Sequence, residues 1–299
     1  METSTLTDAS TVVIQGTRGA FHELAARKYF GTDVEVEPAA TFPELFLFME
    51  QAQEKFAMLA IENSLAGTIL QNYELLRNSR ARVVGEVYLR IGHHLLTLPG
   101  TTIDQLQEVH SHPMAIAQCR AFFRQYPHIK LVEREDTAAS AEWVQARGNP
   151  AWGAIASSIA GELYGLESLV AHIETHQENY TRFLVLANDP KHQVSHNHVN
   201  KSSLCFHLKH EVGSLAEILS ILSIYKMNLT KIQSLPIEGK PWTYFFHIDL
   251  TFEAYDRYQL ALQAIQPLVA ELMVLGEYSQ GVQEDTFITT GEQVLDPLT

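Results

Sequence analysis

Short apolar runs alternate with stretches of helical periodicity over the first two thirds of this chain. Residues 11–15 (TVVIQ), 56–61 (FAMLAI), 81–89, 129–133, 152–156 (WGAIA) and 183–187 (FLVLA) read as strands, with FAMLAI of the type buried on both faces. Shorter strands are expected at 34–37 and 108–110. Helices are expected at 20–30, 42–53, 67–77, 111–126, 137–147 and 157–164. In the second, Phe42, Leu45, Phe46 and Met49 share one face. Thr137 is the expected N-cap of its helix. This alternation of strand and helix predicts an α/β fold.

Residues 188–201 are polar and contain Pro190, the mark of a linker. Beyond them the grammar changes to strand, helix, strand, strand, helix, strand. The strands are expected at 203–208, 229–235, 243–250 and 273–278, and the helices at 214–225 and 255–271. That order is the ferredoxin-like βαββαβ arrangement, in keeping with a small-ligand sensor or dimerisation unit.

Three strands end in polar clusters that open helices: Glu62-Asn63-Ser64, Ser111-His112 and Ser157-Ser158. Each alone is ordinary helix capping. Together, at the carboxyl ends of strands in an open α/β sheet, they form a site suited to a small polyanion such as a dicarboxylate. The stretch Asn179-Tyr180-Thr181-Arg182-Phe183 enters a strand beside them. Alternation puts Thr181 and Phe183 on one face and Tyr180 and Arg182 on the other. Gly16 and Gly19 mark a tight strand-to-helix turn that lacks both GxGxxG and the lysine of a P-loop.

Composition narrows the function. The 299 residues carry a formal net charge of −14, which excludes a broad nucleic-acid-binding face. An anionic ligand must therefore be held by local features, not by the overall field. Cys119 and Cys205 are far apart and form no CxxC pair, so a reducing, cytoplasmic setting is expected. No apolar run reaches membrane-span length and the first ten residues have no signal-peptide core. His192, His196 and His198 lack cysteine or carboxylate support, and a solvated linker is expected there in place of a metal site.

Several motifs in order carry a resemblance: Ile61-Glu62-Asn63-Ser64 with Gly67, Gly85-Glu86, Ser111-His112-Pro113 with Ala117-Gln118-Cys119, Leu163-Tyr164-Gly165-Leu166, and Asn179 to Phe183. Over residues 12–278 the chain resembles the prephenate dehydratases that carry a C-terminal ACT domain. The resemblance implies a two-lobed catalytic domain like type II periplasmic binding proteins at 11–188. One lobe is 11–89 with 180–188, and the other 90–178. A linker at 189–201, an ACT domain at 202–280 and a tail at 281–299 follow. With some ten residues before the first strand, a monofunctional enzyme is expected.

The implied reaction converts prephenate to phenylpyruvate, carbon dioxide and water without a cofactor, toward phenylalanine. The resemblance gives Thr181 the proton-donor role, with Asn63 and Gln118 as further catalytic groups. Glu62, Ser64, Ser111, His112, Ser157, Arg182 and Phe183 are expected around the substrate. Within that set alternatives stay open. Arg182 either clamps a carboxylate or steadies its strand, and Phe183 packs on the substrate ring or fills core. Glu62, beside an anionic substrate, either orients its neighbours or is protonated.

The chain also departs from the family pattern. Gly19-Ala20-Phe21-His22 stands for Gly-Thr-Phe-Ser, and Met114 for the usual Gln. In the ACT region Gly213-Ser214-Leu215-Ala216 stands for Gly-Ala-Leu-Val, and Gln233-Ser234-Leu235-Pro236 for Glu-Ser-Arg-Pro. Phenylalanine as effector is expected at Gly213, Ser214, Leu215, Ala216, Ser234, Leu235 and Pro236, although both charges of the second motif are lost. A homodimer or homotetramer is expected through the ACT domain. The alternatives are an arogenate dehydratase and a noncatalytic amino-acid or anion sensor.

Overall fold

The protein is described from a computed structural model, which covers residues 11–282 apart from 53, 193, 209, 210, 238 and 241. The expected tail at 281–299 lies, beyond its first two residues, outside the described residues. Strands β1 (Val12–Gln15), β2 (Val36–Ala39) and β3 (Phe56–Asn63) run parallel, with α1 (Phe21–Phe30) and α2 (Phe42–Gln51) as crossovers. A two-residue strand β4 (Gly67–Thr68) folds back on β3 before α3 (Leu70–Asn78) and β5 (Arg82–Arg90). The helix expected from residue 67 therefore starts later, because Glu62 and Asn63 pair with Thr68 and Gly67.

The chain then leaves this sheet for a second one. It comprises β6 (His94–Thr97), β7 (Glu108–Ser111), α4 (Pro113–Phe123), β8 (Lys130–Glu133), α5 (Thr137–Arg147), β9 (Trp152–Ala156), α6 (Ser158–Tyr164) and β10 (Glu167–Val170). Its strand order is β10-β6-β9-β7-β8. The cap of α5 is Asp136, not Thr137: its carboxylate accepts from the Ala139 N–H at 2.8 Å. Strand β11 (Tyr180–Ala187) returns to the first sheet, antiparallel between β3 and β5. The outgoing and returning segments are joined by backbone bonds from Ile91 to Asn179 (2.7 Å) and from Ile173 to His93 (3.0 Å).

The C-terminal unit is β12 (Lys201–Leu208), α7 (Ser214–Ile224), β13 (Asn228–Pro236), β14 (Tyr244–Thr251), α8 (Tyr255–Ile265) and β15 (Val269–Tyr278). Its antiparallel order β13-β14-β12-β15 is that of a βαββαβ unit. Helix α8 ends six residues earlier than the periodicity implied, since Pro267 cannot continue it, and β15 starts correspondingly early. Between β11 and β12 His192 packs on Phe56 and His196 stacks on Tyr255, with centroids 4.5 Å apart in both cases.

The two units share one continuous sheet, because β15 meets β5 at Gly276 and Val83. A Cβ on Gly276 would lie 2.2 Å from the Val83 carbonyl oxygen, so only glycine allows this seam. Behind the seam sits a buried charge cluster. Arg182 donates to Glu86 (2.7 Å), to Asp249 and to the Tyr278 hydroxyl (3.0 Å). Lys201 donates to both oxygens of Glu86, at 2.8 and 2.9 Å. Two cations thus face two carboxylates, which lets four charges be buried together.

Candidate active site

A cleft of about 300 Å³ opens between the two sheets, and Asn63, Gln118, Thr181, Phe183 and His112 all line it. A β-bulge makes the key pairing possible. The register of β3 on β11 runs Ala60 to Phe183, then Glu62 to Arg182 and Asn63 to Thr181, leaving Ile61 as the extra residue. The bulge lets Ala60 and Asn63, three apart, both face the cleft, and it turns Glu62 to the opposite face with Arg182.

Asn63 is fixed from behind. Its Oδ1 accepts from the Leu65 and Ala66 N–H groups at 3.0 and 2.8 Å, so the NH2 end must face β11. There it donates to Thr181 Oγ1 (3.0 Å), the Asn179 side-chain oxygen (2.7 Å) and the Tyr180 carbonyl (3.2 Å). The orientation propagates. Asn179 then offers its own NH2 to Gln118 Oε1 (3.2 Å), which also accepts from His93 Nε2 (2.8 Å). The NH2 end of Gln118 and the hydroxyl hydrogen of Thr181 are thereby left for a ligand.

Helix starts supply the rest of the cleft. Ala20, Phe21 and His22 begin α1, Ile69 precedes α3, His112 and Met114 begin α4, and Asp136 and Thr137 begin α5. The first two of these helices have no side-chain cap. Among the described residues no lysine or arginine lines the cleft, so backbone N–H groups and helix dipoles are its main attraction for an anion. His112 accepts the Met114 N–H on Nδ1 at 3.2 Å, which puts a neutral ring's proton on Nε2. Burial pushes His22 down to about 3 and lowers His93 despite its bond to Gln118, so both imidazoles are neutral. His22 Nε2 has no partner among the described residues and its ring meets Phe183 edge-on at 5.0 Å.

Five expected substrate contacts do not line the cleft. Arg182 belongs to the buried cluster on the other face of β11, held by Asp249 and Glu86. Glu62 pairs with Lys231 of the C-terminal unit. Ser111 Oγ donates to the Ile155 carbonyl (2.6 Å) and Ser157 Oγ to the Gly19 carbonyl (2.6 Å). Ser64 ties the start of β11, accepting from Tyr180 N–H at 2.9 Å. In the C-terminal unit, Ser214 and Leu215 line a small pocket of about 140 Å³ with Trp242 and Phe246. Gly213, Ala216, Ser234, Leu235 and Pro236 do not, and Leu235 packs into the core under β3 instead.

Sequence reasoning gave no site role to Asn179, His22, His93 or the Asp136-Thr137 pair, although Asn179 lay in the stretch it singled out and Thr137 was read as a cap. Asp136-Thr137 obeys the same rule as the other clusters, a polar pair after a strand and before a helix. The histidines carry no such signal, since their place depends on packing across the two sheets.

A family profile described as prephenate dehydratase matches residues 12–191. The chain is 34% identical to the bifunctional chorismate mutase/prephenate dehydratase of Enterobacter agglomerans, over 90% of the chain and 70% of that protein. It is 36% identical to arogenate dehydratase 2 of Petunia hybrida, over 89% of the chain and 71% of that protein. Among solved structures, GqqA, described as a novel type of quorum-quenching acylase, superposes with a TM-score of 0.82 at 30% identity (90% of this chain, 98% of that one). The prephenate dehydratase of Arthrobacter aurescens in complex with L-Phe superposes at 0.79 and 26% identity, over 90% and 89%. The profile spans both sheets of the cleft, and the chain belongs to the prephenate dehydratase family, as a lyase that acts on prephenate.

Proposed function

We propose that the cleft removes carbon dioxide and water from prephenate with Thr181 at the departing hydroxyl. The electron pair of the breaking ring–carboxylate bond enters the ring and aromatises it. The C4–oxygen bond breaks, and one proton is taken up so that oxygen leaves as water. The observation that carries this reading is the Asn63–Thr181 bond. The Asn63 amide occupies a lone pair of the Thr181 hydroxyl, which leaves its hydrogen to donate to charge developing on the leaving oxygen. A threonine hydroxyl is a weak acid, so it relays a proton from water or from His112 Nε2. Gln118 and the open starts of α1 and α3 hold the two carboxylates, in place of arginines.

We read the fold as a type II periplasmic-binding-protein-like domain, at 11–188, followed by an ACT domain at 202–280. The order β13-β14-β12-β15 supports the second half. L-phenylalanine is the proposed effector, given the L-Phe complex of the Arthrobacter relative, with Ser214 and Leu215 nearest the pocket that would take it. Pairing of two copies along β13, the end strand of its sheet with Ile232 exposed, would give the dimer. The setting is proposed as cytoplasmic, with both cysteines carried as buried free thiols. No helix among the described residues is long and apolar enough to cross a membrane.

The Petunia relative makes arogenate the second substrate to test. An acylase reading, prompted by GqqA, lacks support in the cleft. Acyl transfer needs a nucleophile beside a base, and the partner of Thr181 is an amide. The deciding experiment measures phenylpyruvate from prephenate beside phenylalanine from arogenate, with Thr181→Ala as control. Turnover of neither substrate by the unmodified protein overturns the reading.

A further inference from the structure

One rung of β3 and β11, next to the Asn63–Thr181 pair, faces one rung of the C-terminal unit. On β3 and β11, Asn63 pairs with Thr181 on the cleft face, and Glu62 pairs with Arg182 on the opposite face. On β13 and β14, Lys231 pairs with Asp249. The contacts join these pairs one to one. Arg182 bonds Asp249, and Lys231 Nζ bonds Glu62 Oε1 at 2.5 Å and Thr68 Oγ1 at 2.7 Å. Each member of the catalytic pair thus has its chain neighbour held by the C-terminal unit.

The Lys231 contact is the more informative of the two. Glu62 and Thr68 sit opposite one another on the β3–β4 hairpin, and Lys231 spans both strands of it. The turn of that hairpin contains Leu65 and Ala66, whose N–H groups fix Asn63 Oδ1 and so aim its NH2 at Thr181. We propose that Lys231, a residue of the C-terminal unit that does not line the cleft, is a positioning residue for Asn63 and Thr181, acting through the Glu62–Thr68 grip on this hairpin. A single, partly buried ion pair of this kind adds modestly to stability, yet it fixes an orientation. It also gives a ligand of the C-terminal unit a direct path to the reacting hydroxyl.

The inference rests on reading the cleft as the prephenate site, so its test carries a readout that needs no turnover. In the full-length protein, Lys231→Met is expected to speed hydrogen exchange at Leu65 and Ala66. It should also lower kcat on prephenate by about 3- to 30-fold, leave KM within about twofold, and barely move Tm. The reversed pair Glu62→Lys with Lys231→Glu should restore slow exchange and most of kcat. Unchanged exchange at Leu65 and Ala66 overturns the inference whatever the activity. So does faster exchange with kcat intact, a rise in KM in place of a fall in kcat, or a fall in kcat matched by unfolding. Inactive unmodified protein sinks the functional reading alone, because the exchange measurement still decides whether Lys231 holds the hairpin.

Discussion

Asn63 Nδ2 lies 3.0 Å from Thr181 Oγ1, and the direction of that bond is set by backbone groups. Because Leu65 and Ala66 N–H groups occupy the asparagine oxygen, the amide can only donate to the threonine. The threonine hydrogen is thereby directed away from Asn63.

Thr181→Val keeps the shape of the side chain and removes the hydroxyl, at a position only 8% exposed. It is expected to lower kcat by about 10²- to 10³-fold with little change in KM, since the lost bond matters at the transition state. Thr181→Ser should recover much of the loss. Steady-state kinetics with melting curves decide it, and a Val variant keeping most of kcat excludes the donor role.

Gln118 joins His93 to Asn179 and thence to Asn63. Gln118→Leu conserves volume and leaves the His93 Nε2–H and the Asn179 amide unpaired, at a cost of about 1–3 kcal/mol each when buried. Both kcat and KM should worsen, because the same change removes an NH2 group from the cleft. A variant with wild-type KM would show that this NH2 does not touch substrate.

The strand and helix order was legible because each element has one strong period. FAMLAI is buried along its whole length, and WGAIA and its helix fall where expected. The face alternation at Thr181, Arg182 and Phe183 also held, since β11 is regular there on its cleft face. What escaped was anything set by partners distant in sequence. The bulge at Ile61 shows only in the pairing of β3 with β11. Ser111 and Ser157 look like ligand donors until their carbonyl partners, Ile155 and Gly19, are in place. Whether Arg182 clamps a ligand or steadies its strand stays open in the sequence because its carboxylates, Glu86 and Asp249, are contributed by other strands.

Arg182→Met tests which of the two roles it has. Asp249 and Glu86 lose a buried cation, and breaking such a network costs about 3–5 kcal/mol. Urea unfolding should shift accordingly, while the folded fraction keeps its KM for prephenate. A rise in KM at unchanged stability would return Arg182 to the substrate.

Acid should weaken the fold through groups that burial keeps unprotonated. His247 is 1% exposed, with Cys205 Sγ at 3.5 Å and the Tyr73 ring at 5.0 Å. Burial, assisted by the Arg77 cation and opposed by Asp249, pushes it down to about 4. In the unfolded chain a histidine takes its proton near pH 6.5. Between pH 6.5 and 4 the unfolded state therefore binds more protons, and stability falls as pH falls. Fully developed, this single group accounts for about 3 kcal/mol, lost over that window. Asp249 acts the same way lower on the scale: burial alone would raise it, but Arg182 and the Ser203 hydroxyl hold it below the ordinary carboxylate value. Its contribution is present above that value and disappears as pH falls further. Urea midpoints of the unmodified protein and of His247→Gln, taken at pH 7.5, 6 and 5, separate the two groups. The variant's stability should fall less steeply below pH 6.5, by about 1.4 kcal/mol per pH unit. Parallel curves would mean that His247 is protonated in the fold and that the buried ring has found a partner for its charge.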